Sequence, residues 1–284
     1  MDWLHIFIHA IKETAILLPF LFFTYLFLEW LEHRGAEKME GVLRKSGKIS
    51  PVFGALLGIV PQCGFSASAA GLYAGRVISL GTLVAVFLST SDEMLPVLLA
   101  GGVRIPTVLL VLGIKVAVAI LAGYLIDLLY RPAHEHTHRI GEMCEHEHCH
   151  CEKGIWYSAL MHTLQIAGFI LLVNLAFGAI IEGVGEEAIA NFVAKRGFLA
   201  YLLSSMIGLI PNCASSVILA ELHVKGIILP GMMLAGLLPG AGVGSVVLLR
   251  TNRPVKQSLL ILLLLLAVGV GVGLATDLLW EIFA

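Results

Sequence analysis

The chain has 284 residues, 58% of them hydrophobic and 13% charged, with a mean hydropathy of +0.92 and a formal net charge of −2. Soluble domains run to about 45–50% apolar and about 25% charged residues, so a water-solvated core would leave too few polar side chains to coat it. This excludes a soluble enzyme, a nucleic-acid binder and a disordered scaffold, and it predicts an all-α integral membrane protein solvated by lipid.

A spanning helix needs about 20 apolar residues. Hydropathy predicts eight segments, at roughly 4–29, 51–75, 77–100, 105–129, 156–182, 198–222, 226–249 and 256–283. The first is expected to be retained: no Lys or Arg precedes it and no small-residue cleavage site follows it. In it His5, His9 and Glu13, beside Lys12, recur at helical spacing and form one stripe. Such a stripe can relay protons or pass a metal along, although a histidine at a membrane end is ordinarily interfacial. A charged stretch follows at 30–50, with Arg34, Lys38, Arg44, Lys45 and Lys48.

The second segment is interrupted by Pro61-Gln62-Cys63-Gly64-Phe65-Ser66. Proline removes an amide donor and clashes with the preceding turn. In lipid the carbonyls it frees must face protein or a wet cavity. A break of this kind presents carbonyls and a helix N-terminus near the midplane, beside one soft and several hard donor side chains. The plain alternative is a packing kink with small residues for close helix approach. The third segment is interrupted by Ser89-Thr90-Ser91-Asp92-Glu93-Met94-Leu95-Pro96. Inserting Asp92 and Glu93 costs about 2.5–3.5 kcal/mol each, which makes them candidates to bind a cation or carry a proton, with Lys115 of the fourth segment as counter-ion. A static buried salt bridge is the alternative. Asp127 and Asp277, near segment ends, suit anchoring or capping.

The stretch 131–153 contains His134, His136, His138, Cys144, His146, His148, Cys149, His150 and Cys151, six of the eleven histidines and three of the five cysteines. Imidazole and thiolate are ligands of zinc, copper(I), nickel and cobalt. The spacing fits no closed finger, so the tract reads as an adaptable metal-binding arm, a sensor or collector rather than the pathway itself. A solvated linker is the alternative.

The last four segments repeat the first four. A shift of 150 aligns 58–129 with 208–279 without a gap, at roughly 22 identities in 72 positions. Pro61-Gln62-Cys63 lies over Pro211-Asn212-Cys213, Ser66 over Ser216, Gly81 over Gly231 and Asp127 over Asp277, while Lys115 faces Leu265. Asp92 and Glu93 face Gly242 and Val243, at the break Pro239-Gly240-Ala241-Gly242-Val243-Gly244-Ser245. A slightly different shift pairs His9 with His162. The expected organisation is a first membrane repeat at 1–130, the His/Cys-rich loop at 131–153 and a second repeat at 154–284.

Four full crossings per half would make the repeats parallel. One re-entrant or split segment per half would invert them. The best division of loop Lys and Arg is about 11 to 5 for even crossings and about 12 to 4 for odd ones. The odd count also places the Cys-rich loop in the reducing cytosol. The expected fold is therefore a pair of inverted-topology repeats whose broken or re-entrant helices meet at the midplane.

These features together resemble the ten-helix heavy-metal exporters, a family also labelled manganese transporters or arsenic efflux permeases. The residues that carry the resemblance are the matched Pro-x-Cys breaks, the Ser-Thr-Ser-Asp-Glu-Met break and the His-rich central loop. It implies a permease that expels metal or metalloid ions. The ten-helix label would follow if one broken segment per half were split in two.

The leading expectation is a secondary transporter, not an enzyme, that moves a thiophilic cation of the zinc, copper, nickel or cobalt type out of the cell by proton antiport. No Walker A or Asp-Lys-Thr phosphorylation sequence supplies an ATPase engine. Cys63, Cys213, Gln62, Asn212, Ser66, Ser216, Pro61 and Pro211 would form the substrate site. Asp92, Glu93, Lys115, His9 and Glu13 would carry coupling. Alternatives are a trivalent arsenic or organoarsenical permease, a manganese permease, an intramembrane thiol enzyme using Cys63 or Cys213, and a metal-sensing scaffold. No resident cofactor is expected beyond transported or loop-bound metal ions. The expected partners are the bilayer, the ion and, as an option, a second copy in a homodimer, with no nucleic acid. The expected location is a prokaryotic inner membrane, with the loop cytoplasmic.

Overall fold

The computed structural model describes residues 49–59, 63–90, 94–130, 155–184, 197–212, 214–252 and 254–283, with most positions from 7 to 26. Every regular element among them is an α-helix. In chain order they are α1 (Ser50–Gly58), α2 (Cys63–Ala74), α3 (Leu80–Ser89), α4 (Met94–Ala100), α5 (Ile105–Leu129), α6 (Ile155–Val184), α7 (Phe198–Gly208), α8 (Ala214–Val224), α9 (Pro230–Leu237), α10 (Val243–Thr251) and α11 (Val255–Phe283). Proline opens α1, α5 and α9, where its missing amide N–H costs nothing.

Three apolar stretches of the described residues are long enough to cross a membrane: Leu80–Ala100, Ile105–Leu129 and Val255–Leu279. Their exposed faces are apolar. Leu121 and Leu128 of α5 and Leu260 and Leu263 of α11 are all more than 60% exposed, which is unfavourable in water and suits lipid. The buried stripe of α5 runs through Val108, Val111, Lys115, Ala119 and Gly123. In α11 it runs through Ser258, Ile261, Leu265, Gly269 and Gly273, the same positions shifted by the repeat.

The halves share finer detail. Asp127 Oδ1 accepts from the Gly81 amide at 2.8 Å, and Asp277 Oδ1 accepts from the Gly231 amide at 2.7 Å. In each case a carboxylate from one long helix caps the start of a short one, where unpaired amides and the helix dipole favour negative charge. A Cβ on Gly81 would overlap the Gly123 carbonyl oxygen, and one on Gly231 that of Gly273. Two short turns, 75–79 and 225–229, each contain a left-handed residue, Arg76 at φ 60° and Gly226 at φ 72°.

Each half folds a pair of short helices against the start of the next helix. Thr82 Oγ1, near the start of α3, donates to Ser50 Oγ at the start of α1 (2.7 Å). Gly58, the last residue of α1, lies against Ser89 and Val86 near the end of α3. The chain then passes through α2 to Ala74, with five residues between it and Leu80. In the second half Tyr201 of α7 and Gly231 of α9 meet on Asp277, Gly208 lies against Gly236, and five residues separate the end of α8 from the start of α9 at Pro230.

The halves also exchange contacts. α2 packs on α10, where a Cβ on Gly244 would come within 2.8 Å of the Ser66 backbone. At the far end of the pair Gln257 Nε2 donates to Tyr73 Oη (2.8 Å). Reciprocally, α8 packs on α4, with Gly101 seated under the Val224 side chain. The main apolar core draws on both halves, joining Leu83, Phe87 and Ala119 to Leu238, Val247 and Leu265, with Leu21 and Tyr25 of the first segment against Ile166 and Ile170 of α6.

Candidate functional site

The centre of the molecule is set by two helix interruptions. After α3 the backbone leaves helical geometry at Thr90 (ψ 126°). After α9 it passes through Pro239 to Gly242, whose φ of 50° with ψ −136° is a conformation that glycine reaches without a Cβ clash. Around these two points lies a cavity of about 10 Å³, enough for roughly one water molecule. Thr90, Met94 and Lys115 line it from the first half, and Asn212, Ser215, Ser216, Leu237, Gly240 and Gly242 from the second.

Lys115 is fully buried. Its ammonium donates to the Thr90 carbonyl at 2.5 Å and to the Leu237 carbonyl at 2.6 Å. Leu237 is the last residue of α9 and Thr90 caps α3, so one cation engages the C-terminal ends of two helices from different halves. Helix C-termini carry partial negative charge on carbonyls that have no intrahelical donor. An ammonium is their natural complement, and in a low-dielectric interior the attraction is strong.

The second-half break is locally built. Pro211 is half-buried, and Asn212 is buried at 6% exposure. Asn212 Oδ1 accepts from the Ala214 amide at 2.7 Å, and Ser215 Oγ donates back to the Asn212 carbonyl at 2.8 Å. Asn212 therefore caps α8 while forming part of the cavity wall.

Of the residues singled out in the sequence, Lys115, Asn212 and Ser216 come together on this cavity. Ser66 is fully buried but sits in the α2–α10 contact rather than in the cavity wall. Cys63 begins α2, and only its backbone is described. Pro61, Gln62, Cys213, Asp92, Glu93, His5, His9 and Glu13 lie outside the described residues, as does the loop with His134, His136, His138, Cys144, His146, His148, Cys149, His150 and Cys151. No group of three or more metal-ligating side chains occurs among the described residues.

Six lining residues were not singled out as ligands in the sequence: Thr90, Met94, Ser215, Leu237, Gly240 and Gly242. Thr90 and Met94 flank the Asp92-Glu93 pair, which was the available signal. Ser215 aligns with Phe65, so the repeat concealed it. Asp127 and Asp277 cap helices, as their positions near segment ends suggested.

Long apolar helices with lipid-type exposed faces make this an integral membrane protein, with a small polar cavity lined by both halves. A family model described as "Putative, 10TM heavy-metal exporter" matches residues 5–183, and the chain belongs to that family. No curated protein and no solved structure matches it.

Proposed function

We propose that the protein exports a thiophilic heavy-metal cation of the zinc, copper, nickel or cobalt type through the centre of two inverted repeats, with proton counter-transport. The observation that carries this reading is the cavity that both halves line where α3 and α9 are interrupted.

The case for inversion rests on where element ends lie. α3 and α4 succeed one another through the break at Thr90, and Leu80–Ala100 is long enough to cross a membrane. α2 ends beside the start of α3, whereas α8 ends beside the end of α4, where Gly101 meets Val224. Equivalent turns, 75–79 and 225–229, thus fall on opposite sides. α1 starts at Thr82 and reaches the level of Ser89, and α2 brings the chain back to the side it left. On this reading α1–α2 and α7–α8 are re-entrant hairpins with the two Pro-x-Cys motifs at their tips. Splitting one broken segment per half in two raises the eight apolar segments to ten, in keeping with a ten-helix description. Inverted repeats with broken helices around a midplane site are a common transporter plan.

Cys63 and Cys213 would then supply thiolate ligands for a soft cation, with Gln62, Asn212, Ser66 and Ser216 around them and Pro61 and Pro211 forcing the breaks. Asp92 and Glu93, bracketed by the cavity residues Thr90 and Met94, would carry the proton, and His9 with Glu13 would extend its route. The His/Cys loop would collect or sense metal on the cytoplasmic face of a prokaryotic inner membrane. One observation favours a second reading: the described wall offers mainly hydroxyl, amide and carbonyl oxygens, which suit a harder ion such as manganese.

The test is metal accumulation in cells expressing wild type, Cys63→Ser or Cys213→Ser, measured for zinc, copper, nickel, cobalt, manganese and arsenite. Wild type is expected to lower one or more of the soft metals, and the Cys variants to lose that effect. Equal accumulation in all three for every ion would refute export through this site. An effect confined to manganese and insensitive to both Cys variants would favour the harder-ion reading.

A further inference from the structure

Lys115 raises a question that metal export alone does not answer: why a full positive charge is buried at the centre of a cation pathway. The repeat does not demand it, since the equivalent Leu265 is equally buried and carries no charge. Its surroundings supply the answer. Two helix C-termini converge there, and the ammonium donates to a carbonyl from each, at 2.5 and 2.6 Å. Thr90, Ser215 and Ser216 place hydroxyl-bearing side chains around the same cavity.

We propose that the paired ends of α3 and α9 form a binding site for a small monovalent cation of sodium or potassium size, and that the Lys115 ammonium occupies it in this conformation. The donors among the described residues are hard oxygens, the kind that replaces the hydration shell of an alkali ion. They differ in kind from the thiols suited to the exported metal. The remaining space, about 10 Å³, takes about one water molecule, so ammonium and free ion exclude one another. Thr90 and Leu237 belong to different halves. Relative motion of the halves breaks the double contact, releases the ammonium and lets the ion take its place. The site thus holds a second coupling ion beside the proton. That role in the cycle rests on the transport reading above, but the existence of the site does not.

The experiment compares thermal unfolding of purified wild type, Lys115→Ala and Lys115→Met in ammonium, methylammonium, sodium, potassium and choline chlorides at equal ionic strength. Lys115→Ala is expected to unfold below wild type and to recover in a saturable way with one or more of the four small cations, but not with bulky choline. Lys115→Met, whose chain fills the space without charge, is expected to lose stability with no ion-specific recovery. Wild type, with its site filled, is expected to show none either. A wild-type Tm for Lys115→Ala without small cations, or the same response to choline as to ammonium, overturns the proposal. So does failure of folded Lys115→Ala to recover in any of the small-cation salts, because a free ammonium should replace the tethered one. Stability is the readout, so a negative result here is separable from a failure of metal export in the Cys variants.

Discussion

Asp277 ties two helices of the second half to α11, and its removal has a calculable cost. One carboxylate oxygen accepts from the Gly231 amide at 2.7 Å and the other from the Tyr201 hydroxyl at 2.7 Å, and the residue is only 7% exposed. Asp277→Ala leaves two buried donors without an acceptor, at about 1–3 kcal/mol each. It also removes a negative charge from a helix N-terminus, worth about 0.3–2 kcal/mol. The expected loss is about 2–8 kcal/mol. Asp127 makes the matching contact with Gly81 and accepts from Ser79 Oγ at 2.7 Å, but it is only half-buried. Ser79 and Thr82 bond one another at 2.8 Å and would retain that contact. Asp127→Ala should therefore cost less, about 1–3 kcal/mol. Asp277→Asn keeps an oxygen for one donor and should fall between wild type and Asp277→Ala. Thermal unfolding of the purified variants in detergent, followed by intrinsic fluorescence, ranks them. Combining Asp277→Ala with Tyr201→Phe should be less than additive, because both remove the same bond. A wild-type Tm for Asp277→Ala, or a larger loss from Asp127→Ala, would refute the capping account.

Glycine substitutions separate close contacts from open positions. A Cβ at Gly208 would overlap the Gly236 carbonyl oxygen, which cannot rotate away, so Gly208→Ala should lose about 1–3 kcal/mol or more and reduce the yield of folded protein on size-exclusion chromatography. Gly113 faces open space on α5, and Gly113→Ala should leave the Tm unchanged or raise it by the equivalent of about 0.5–1 kcal/mol. Deleting 134–151 should abolish tight zinc or nickel binding measured by calorimetry while leaving the Tm of the membrane portion unaltered; loss of efflux on that deletion alone would move the substrate site out of the membrane. Gln257→Leu removes the bond to Tyr73 across the halves and should cost about 0.5–1.5 kcal/mol in the same unfolding assay.

Much of the architecture is legible in the sequence because the duplication leaves rare residues in register. Gly81 with Asp127 and Gly231 with Asp277 repeat at the same separation, and that separation is the spacing of a carboxylate cap. The breaks at Thr90 and Pro239 are also legible, since polar residues and proline interrupt otherwise apolar runs. What the sequence does not disclose is which partner each freed group finds. Lys115 reads as a counter-ion for Asp92 or Glu93, which lie outside the described residues; its bonds to the Thr90 and Leu237 carbonyls are to backbone groups, which every residue carries and no sequence pattern marks. Ser215 escapes notice for a related reason: its role follows from the local turn at Asn212, not from the repeat. Ser66, prominent in the alignment, is buried where α2 packs closely on Gly244, a contact no sequence pattern marks.

The central claim is a pathway between two oppositely oriented halves, and the two equivalent turns test it most directly. Arg76 lies in the turn between α2 and α3, and Lys225, more than half exposed, in the turn between α8 and α9. Each is replaced singly by cysteine in a background whose five native cysteines are changed to serine. Oriented vesicles are then treated with a membrane-impermeant maleimide from one side or the other. The account predicts that Arg76→Cys and Lys225→Cys are labelled from opposite sides. Labelling of both from the same side would make the repeats parallel and contradict it.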